Sequence, residues 1–370
     1  MLGTRNGGTV ASLLLVEYGK DDEGEQLQSL VQYRFEAGRL AGAREPLVTT
    51  RTIDVRFDLG TNYLHQNRCV ITNWGDVIDL ETRQVVRRGR GQVVRVAGDR
   101  VIERVPPKWE EEGGMFSFDL KSRRSARVNL YNPEGRHAGV ISPDGRRSVE
   151  DGGSDSLFLY EEGAERRSLG SSFGGSLGYI EGPLPALWLD NKTLLAIERG
   201  GRVVRLDVVT GKVTPIVQAP ICGERDEGTA RLGQDPGGTV YFEWYDYDQL
   251  ELREWNQRIV AIDVEGRRVV PYDWVTLRDG FDFRRERDPN YGHLLRHRGA
   301  KIGRLWCNAW QAETADSCFA VKYGAAGSNL GYPEGVAVWS AESGAWTSIR
   351  PESLTTVIGW VVEGASRYPT

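Results

Sequence analysis

The segment from Trp244 to Glu251 combines aromatic rings with carboxylates and reads Trp-Tyr-Asp-Tyr-Asp-Gln-Leu-Glu. Aromatic side chains with a polar end suit a sugar or a cationic peptide, and grouped carboxylate oxygens suit Ca²⁺. Asp246 and Asp248 alone do not reach the spacing of a full calcium loop. The competing interpretation is solvated acids beside aromatics that pack on a neighbouring element. We predict binding residues here without assigning a cofactor, Ca²⁺ being the weaker alternative: Trp244, Tyr245, Asp246, Tyr247 and Asp248.

A second candidate segment, residues 283–298, is rich in arginine. His293 and His297 are four residues apart, so on a helical turn they would face one side and could bind a metal. No glutamate follows the first histidine as in H-E-x-x-H, and Pro289 and Gly292 disfavour a helix. We therefore predict no metal site. The expected structure is a basic cap paired with acidic loops, and a phosphate or protein site is the alternative. Its candidate binding residues are Arg284, Arg285, Tyr291, His293 and His297.

Catalytic motifs do not emerge from the sequence. The four histidines are scattered, there is no G-x-S-x-G elbow, and the glycine-rich stretch 324–331 lacks a phosphate-binding G-x-x-x-x-G-K-[ST] pattern. We therefore assign no catalytic residue, and a non-enzymatic role is favoured.

Composition narrows the class of partner. The 370 residues carry a formal net charge of -5, which disfavours nucleic acid. No apolar run approaches the roughly 20 residues of a membrane span, and residues 10–16 lack the features of a signal peptide. These patterns favour a cytoplasmic location and a protein or peptide partner, with no membrane contact. The oligomeric state is left open.

The four cysteines do not by themselves establish a disulfide or a zinc site. Cys307 and Cys318 could form a disulfide across one sheet, whereas Cys69 and Cys222 fit single buried positions. No C-x-x-C pair suggests zinc. Arginine doublets such as Arg166-Arg167 fall beside outer strands, where charge blocks pairing between sheet edges of different molecules.

The elements that position the candidate binding residues are repeated hairpins. A hydrophobic strand, a polar turn and a second strand recur seven times, at intervals of roughly 40 to 50 residues in most cases, which is typical of a β-propeller. We therefore predict an all-β, seven-bladed β-propeller, with six blades as the alternative. The hairpins begin near Leu30, Val77, Met115, Leu157, Val203, Ile259 and Val336.

The ends of the chain complete this pattern. Residues 10–18 and 355–362 each form one strand without a hairpin of their own. If the last strand joins the first blade, the ring has no open edge. We predict a single domain over residues 1–370, with residues 274–302 as an insertion loop between the last two blades.

One turn carries a family resemblance. Ser142-Pro143-Asp144-Gly145 resembles the S-P-D-G box of WD-like repeats in TolB-like propellers, and residues 187–195 and 235–241 look like looser copies. In such a turn the Asp side chain accepts hydrogen bonds from nearby backbone N–H groups, Pro fixes one φ and Gly tolerates a positive φ. The resemblance implies a bacterial-type propeller fold. Members of such families serve as binding scaffolds, periplasmic partners and accessory domains of peptidases.

Strand order also predicts where binding occurs. In a four-stranded blade (A to D), the A–B and C–D turns lie at one end, and the B–C and D–A connections lie at the other. Most long connections fall in the second group, with residues 60–67 and 309–316 as exceptions in the first.

We expect a non-catalytic scaffold that binds a protein or peptide through the long-loop face. The alternative is a hydrolase or lyase acting on a carbohydrate or small polar ligand at the central pore. Glu243 or Asp246 would then act there, with or without a metal. A structural role in a larger assembly is a third option.

Overall fold

The computed structural model consists of β-strands joined by turns. Its described residues form 33 strands, and they include no helix with the length and apolarity to cross a membrane. The described residues are 10–20, 22–51, 55, 57, 62–105, 113–130, 139–151, 157–170, 186–198, 201–218, 228–246, 258–284, 292–307, 312–315, 317–324, 335–351 and 355–362.

The strands form eight antiparallel sheets, numbered here as blades. Blade one contains β33 (Thr355–Val362), β1 (Val10–Lys20), β2 (Gln26–Glu36) and, both paired with β2, β3 (Arg39–Leu40) and β4 (Glu45–Arg51). Blade two contains β5 (Tyr63–His65), β6 (Cys69–Ile71), β7 (Val77–Asp79) and β8 (Gln84–Arg87). Blade three contains β9 (Gln92–Ala97), β10 (Arg100–Val105), β11 (Gly114–Asp119) and β12 (Ser125–Val128). Blade four contains β13 (Val140–Ile141), β14 (Arg147–Asp151), β15 (Leu157–Glu161) and β16 (Arg167–Gly170).

The remaining four blades repeat this order. Blade five contains β17 (Ala186–Trp188), β18 (Thr193–Ile197), β19 (Arg202–Asp207) and β20 (Val213–Gln218). Blade six contains β21 (Gly228–Gln234), β22 (Val240–Asp246), β23 (Arg258–Asp263) and β24 (Arg268–Pro271). Blade seven contains β25 (Trp274–Thr276), β26 (Phe281–Arg284), β27 (His293–His297) and β28 (Ala300–Leu305). Blade eight contains β29 (Glu313–Ala315), β30 (Cys318–Tyr323), β31 (Gly335–Ser340) and β32 (Ala345–Ile349).

This arrangement is a β-propeller of eight blades, so the predicted count of seven, with six as the alternative, is wrong. The missed blade occupies the region predicted to be an insertion loop, residues 274–302. Its third strand, β27, reads His-Leu-Leu-Arg-His, and Leu295 is its one buried aliphatic side chain. A strand with so little apolar patterning does not show the hydrophobic signal of the other hairpins.

The last strand of the chain belongs to the first blade. β33 pairs antiparallel with β1, with Trp360 opposite Leu13, so the predicted pairing of the two chain ends is present. The register shifts between Leu14 and Leu15, where a β-bulge adds one residue to β33. Gly359, with a φ of 149°, lies at this bulge.

The blades group into two compact units. One unit holds residues 1–90 and 274–370, and the other holds residues 91–273. In the first unit β1 is buried on both faces. Leu13 and Leu15 pack in one core cluster with blade eight, while Leu14 and Val16 pack in another with blade two. This double burial explains why residues 10–16 read as a continuous apolar run rather than an alternating one.

Short turns close one end of every sheet. All A–B and C–D connections contain five residues or fewer, and the longer connections are B–C or D–A. The exceptions expected at residues 60–67 and 309–316 do not hold, because β5 and β29 occupy parts of them and the longer remainders are D–A connections. We call the two ends of each sheet the short-turn end and the long-connection end.

Aspartates shape several short turns. Asp79, Asp119, Asp207 and Asp263 each end the third strand of a blade and accept turn N–H groups. These backbone hydrogen bonds hold the pKa of Asp119, Asp207 and Asp263 below the ordinary value. This repeated Asp was not recognised in the sequence.

The S-P-D-G turn forms as predicted. The Ser142 hydroxyl donates to Asp144 Oδ1 at 2.6 Å, and Gly145 has a φ of 69°. The turn also joins two blades of the second unit, because Arg147 Nη1 donates to the Asn191 carbonyl at 2.9 Å. Arg167 likewise donates to the Val208 carbonyl. Arginines of two doublets therefore connect neighbouring blades within the molecule.

The described cysteines are free and buried. The suggested disulfide between Cys307 and Cys318 is therefore not present. Cys307 lies instead opposite Tyr323 in an isolated bridge, and burial raises the pKa of its thiol to about 12. Cys222 lies outside the described residues.

Candidate functional site

The first predicted cluster lies at the end of a strand in the second unit. Trp244, Tyr245 and Asp246 are the last residues of β22, and they pair with Ala230, Thr229 and Gly228 of β21. The strand ends at the long-connection end of blade six, as the strand order predicted. Tyr247 and Asp248 lie outside the described residues. The binding role of all five stays a prediction.

The second predicted cluster belongs to the first unit and lies in blade seven. Arg284 is exposed at the end of β26. Arg285 and Tyr291 fall outside the described residues. His293 and His297 begin and end β27. Four residues of strand separate their Cα atoms by about 13 Å, so the two imidazoles cannot share one metal ion. The part of the chain that the structure describes contains no group of three or more His, Cys, Asp or Glu that could hold a metal.

His293 is the first residue of β27, the third of the four strands in its blade. Its ring packs edge-on against Phe283 with 5.1 Å between centroids. Its Nδ1 lies 3.2 Å from the carbonyl oxygen of Arg284. These contacts fix its ring within the blade.

His297 is buried between two aromatic rings, with 8% of its surface exposed. The centroid of Phe281 lies 4.4 Å from that of the imidazole, and the centroid of Trp339, from blade eight, lies 5.1 Å away. Its Nε2 has no hydrogen-bond partner among the described residues. Burial, and the positive charge of Arg298, lower the pKa of His297. This histidine packs as part of the contact between blades seven and eight.

A titratable group that sequence reasoning missed is Glu313, on the first strand of blade eight. Burial raises the pKa of its carboxyl to about 7, against a smaller opposing effect from the Arg278 guanidinium. Its Oε2 is 3.8 Å from the point where a Cβ would stand on Gly359, and Leu64 Cδ2 is 3.3 Å from that point. Glu313 therefore lies beside the β-bulge of β33, among the first strands of blades eight, one and two. Near neutral pH this carboxyl can hold or release a proton.

Buried glutamates recur on the second strands of the blades, or directly after them, toward the long-connection end. Several of them have partners within their own blades. Glu17 accepts from Tyr33 Oη and Arg44 Nε, and Glu198 accepts from Arg202 Nε. Such bonds fix strands to one another, so we interpret these glutamates as structural. The set is Glu17, Glu103, Glu150, Glu198 and Glu243, all below 9% exposed.

Glu243 was one of the two carboxylates named for the enzyme alternative, with Asp246. It lies within β22, opposite Arg231 and Ile259, and is 5% exposed. A side chain so enclosed by its own sheet is poorly placed to meet a substrate.

The other residue that sequence reasoning missed is Trp74, in the five-residue B–C turn of blade two. It is 38% exposed, and it stands at the long-connection end of its blade. The signal in the sequence was a tryptophan inside a tight Thr-Asn-Trp-Gly-Asp turn. An exposed indole on a short turn can contact a partner at little conformational cost.

No family model matches the chain, and no curated protein matches it. Among solved structures, BamB from Moraxella catarrhalis aligns at 13% identity over 83% of this chain and 93% of its own, with a TM-score of 0.42. The propeller domain of the Trilobed protease from Pyrococcus furiosus aligns at 9% identity over 91% and 97%, with a TM-score of 0.42. An oligogalacturonate lyase from Vibrio parahaemolyticus aligns at 12% identity over 94% and 87%, with a TM-score of 0.40. Similarity this low carries no functional argument, and the propeller assignment rests on the eight sheets.

Proposed function

We propose that the protein is a binding scaffold that engages a protein or peptide partner through the long-connection ends of its blades. The observation that carries this proposal is the asymmetry of the sheets, whose short-turn ends have connections of five residues or fewer. Long connections on a rigid scaffold are where binding surfaces concentrate. The buried glutamates with described partners are bound within their blades, which fits a structural scaffold.

The test compares connections at opposite ends of the same blade. In one variant a short Gly-Ser linker replaces residues 247–257, and in the matched control four Gly-Ser residues replace residues 264–267. Partners are captured from the source organism with the wild-type protein, purified, and their binding to each variant is measured by calorimetry. We expect at least tenfold weaker binding by the first variant and unchanged binding by the control. A second pair, in blade eight of the first unit, would replace residues 324–334 or residues 341–344.

The opposite pattern contradicts the proposal. A partner that both long-connection variants bind with full affinity, or one that only the short-turn variants lose, places the binding surface elsewhere. Circular dichroism and melting temperature check that each variant folds.

A second candidate function is an enzyme acting on a carbohydrate or small polar ligand, and Glu313 is the observation that favours it. A carboxyl with a pKa near 7 is suited to general acid or base catalysis at neutral pH. The test is turnover of an oligosaccharide panel by wild type and Glu313→Gln. Turnover lost in this variant, with the fold kept, supports an enzyme, and no turnover by the wild type counts against it.

A further inference from the structure

Trp74 stands apart from the other exposed large apolar side chains of the described chain. Leu40, Val209 and Val213 lie in, or next to, C–D turns at the short-turn ends of blades one and five. Trp74 instead lies at the long-connection end of blade two, where the proposed function places the partner.

The turn that presents Trp74 is held by its own hydrogen bonds. The Gly75 N–H donates to the Thr72 carbonyl at 2.9 Å, and the Thr72 N–H donates to the Asp76 carbonyl at 2.9 Å. The Asp76 N–H donates to Thr72 Oγ1 at 3.1 Å. Gly75 adopts a φ of 81°, which this turn requires. The backbone under the indole is therefore fixed before any partner arrives.

The same turn is bonded to the D–A connection of blade two. The Gly89 N–H donates to Asp76 Oδ1 at 2.9 Å, and Arg87 Nη1 donates to the Gly75 carbonyl at 2.7 Å. Gly89 approaches so closely that a Cβ there would lie 1.7 Å from the Trp74 carbonyl oxygen. These contacts bring residues 88–90 against the Trp74 turn.

Two exposed arginines flank that close contact. Arg88 and Arg90 stand on either side of Gly89, and both are exposed. An aromatic ring on one connection and guanidinium groups on the connection in contact with it offer apolar area together with bidentate donors for carboxylates. Tryptophan and arginine are also the residue types most enriched where binding energy concentrates.

We propose that Trp74, Arg88 and Arg90 form a docking patch for an acidic peptide segment of a partner protein. The inference rests on the proposed function and names the chemistry of its partner. Charge complementarity selects carboxylates, and the indole selects an apolar or aromatic residue beside them. A nucleic acid is disfavoured, because it needs several phosphate contacts and the patch contains two arginines.

The test uses fluorescence anisotropy with the intact protein. The probe is a fluorescein-labelled peptide with the repeat Glu-Glu-Phe, compared with a Lys-Lys-Phe peptide and a single-stranded oligonucleotide. We expect salt-sensitive binding of the acidic peptide, weakened at least tenfold by Trp74→Ala and by the double change Arg88→Glu with Arg90→Glu. Val209→Ala, an exposed apolar residue at a short-turn end, is the matched control and should bind as wild type does.

Several results would overturn the inference. These are no binding of the acidic peptide, equal binding by wild type and Trp74→Ala, equal binding of the Lys-Lys-Phe peptide, or stronger binding of the oligonucleotide. An unchanged melting temperature in each variant excludes misfolding as the cause of lost binding.

Failure of this patch is distinguishable from failure of the proposed function. If the captured partner binds Trp74→Ala normally but loses affinity for the long-connection variants, the docking patch is wrong and the scaffold proposal stands. If the long-connection variants keep the partner, the scaffold proposal fails whatever the peptide does.

Discussion

The indole nitrogen of Trp360 donates a hydrogen bond to the backbone carbonyl of Glu313 at 3.2 Å. This bond joins the last strand of the chain, which belongs to blade one, to the first strand of blade eight. Burial of the Glu313 carboxyl, whose pKa is raised to about 7, is thus part of the same contact between two blades of the first unit. Its titration should affect stability.

Glu313 should make the protein less stable as the pH rises. Because the pKa of Glu313 is about 7 in the folded state and its ordinary value is 4.5, the folded state binds one more proton than the unfolded state between these pH values. Stability from the neutral carboxyl is then complete below about pH 4.5 and is lost as the pH rises through about 7. Glu313→Gln should remove this loss and stabilise the protein at pH 8 by up to about 3 kcal/mol. Urea unfolding of wild type and variant at a series of pH values measures this difference in stability. The same change at exposed Glu342 is the control, and an unaltered pH profile for Glu313→Gln would contradict the prediction.

His297 should make the protein less stable as the pH falls. Its pKa is lowered by burial, so the unfolded state takes up a proton first and stability falls as the pH drops below about 6.5. His297→Phe keeps the aromatic packing against Phe281 and Trp339 and should reduce the loss of stability between pH 6.5 and 4. His293→Gln, on the same strand, should leave that loss in place. The measurement is urea unfolding, and a wild-type slope in His297→Phe would refute the assignment.

Gly89→Ala should destabilise the protein strongly. Its Cβ would meet the Trp74 carbonyl oxygen at 1.7 Å, which forces the backbone of two connections apart. We expect a loss of about 3 kcal/mol or more, measured by thermal and urea unfolding. The matched control is Gly19→Ala, because no atom lies within 4 Å of a Cβ placed there. A cost for Gly89→Ala no larger than that of the control would show that the contact relaxes easily.

Arg44→Ala should destabilise blade one. Arg44 Nε lies 2.7 Å from Glu17 Oε2, and the Glu17 side chain is 9% exposed, so removing the guanidinium leaves a buried carboxylate with Tyr33 as its remaining described partner. We expect a loss of about 2 kcal/mol in urea unfolding. Arg34→Ala breaks a pair with Glu36 in which both side chains are about half exposed, and should cost less than about 0.5 kcal/mol. Equal costs for the two changes would contradict this prediction.

Much of the fold was predictable because it is encoded locally. The apolar residues of Val203-Val204-Arg205-Leu206 and the turn after Asp207 predict one hairpin without reference to the rest of the chain. Blade seven was not predicted because β27 has little apolar periodicity, and its burial comes in part from His297 packing on Trp339, more than 40 positions along the chain.

The candidate sites, like the fold, were predictable from the sequence only in part. Composition marked residues 244–248 and 284–297 as unusual, but it could not show that His293 and His297 stand on a strand, too far apart for one metal ion. The connections that carry Trp74 and Arg88 touch only because residue 89 is a glycine. Glu313 acquires its raised pKa from burial beside strands distant in sequence.

The sequence by itself determined the repeating hairpins, the chemistry of the turns and the pairing of the chain ends, because each depends on side-chain period and local backbone preference. Only the tertiary structure decided the number of blades, which glutamates are buried and which aromatic ring remains exposed. Those properties depend on contacts between blades, and a linear pattern does not record which distant residues remove water from a given side chain.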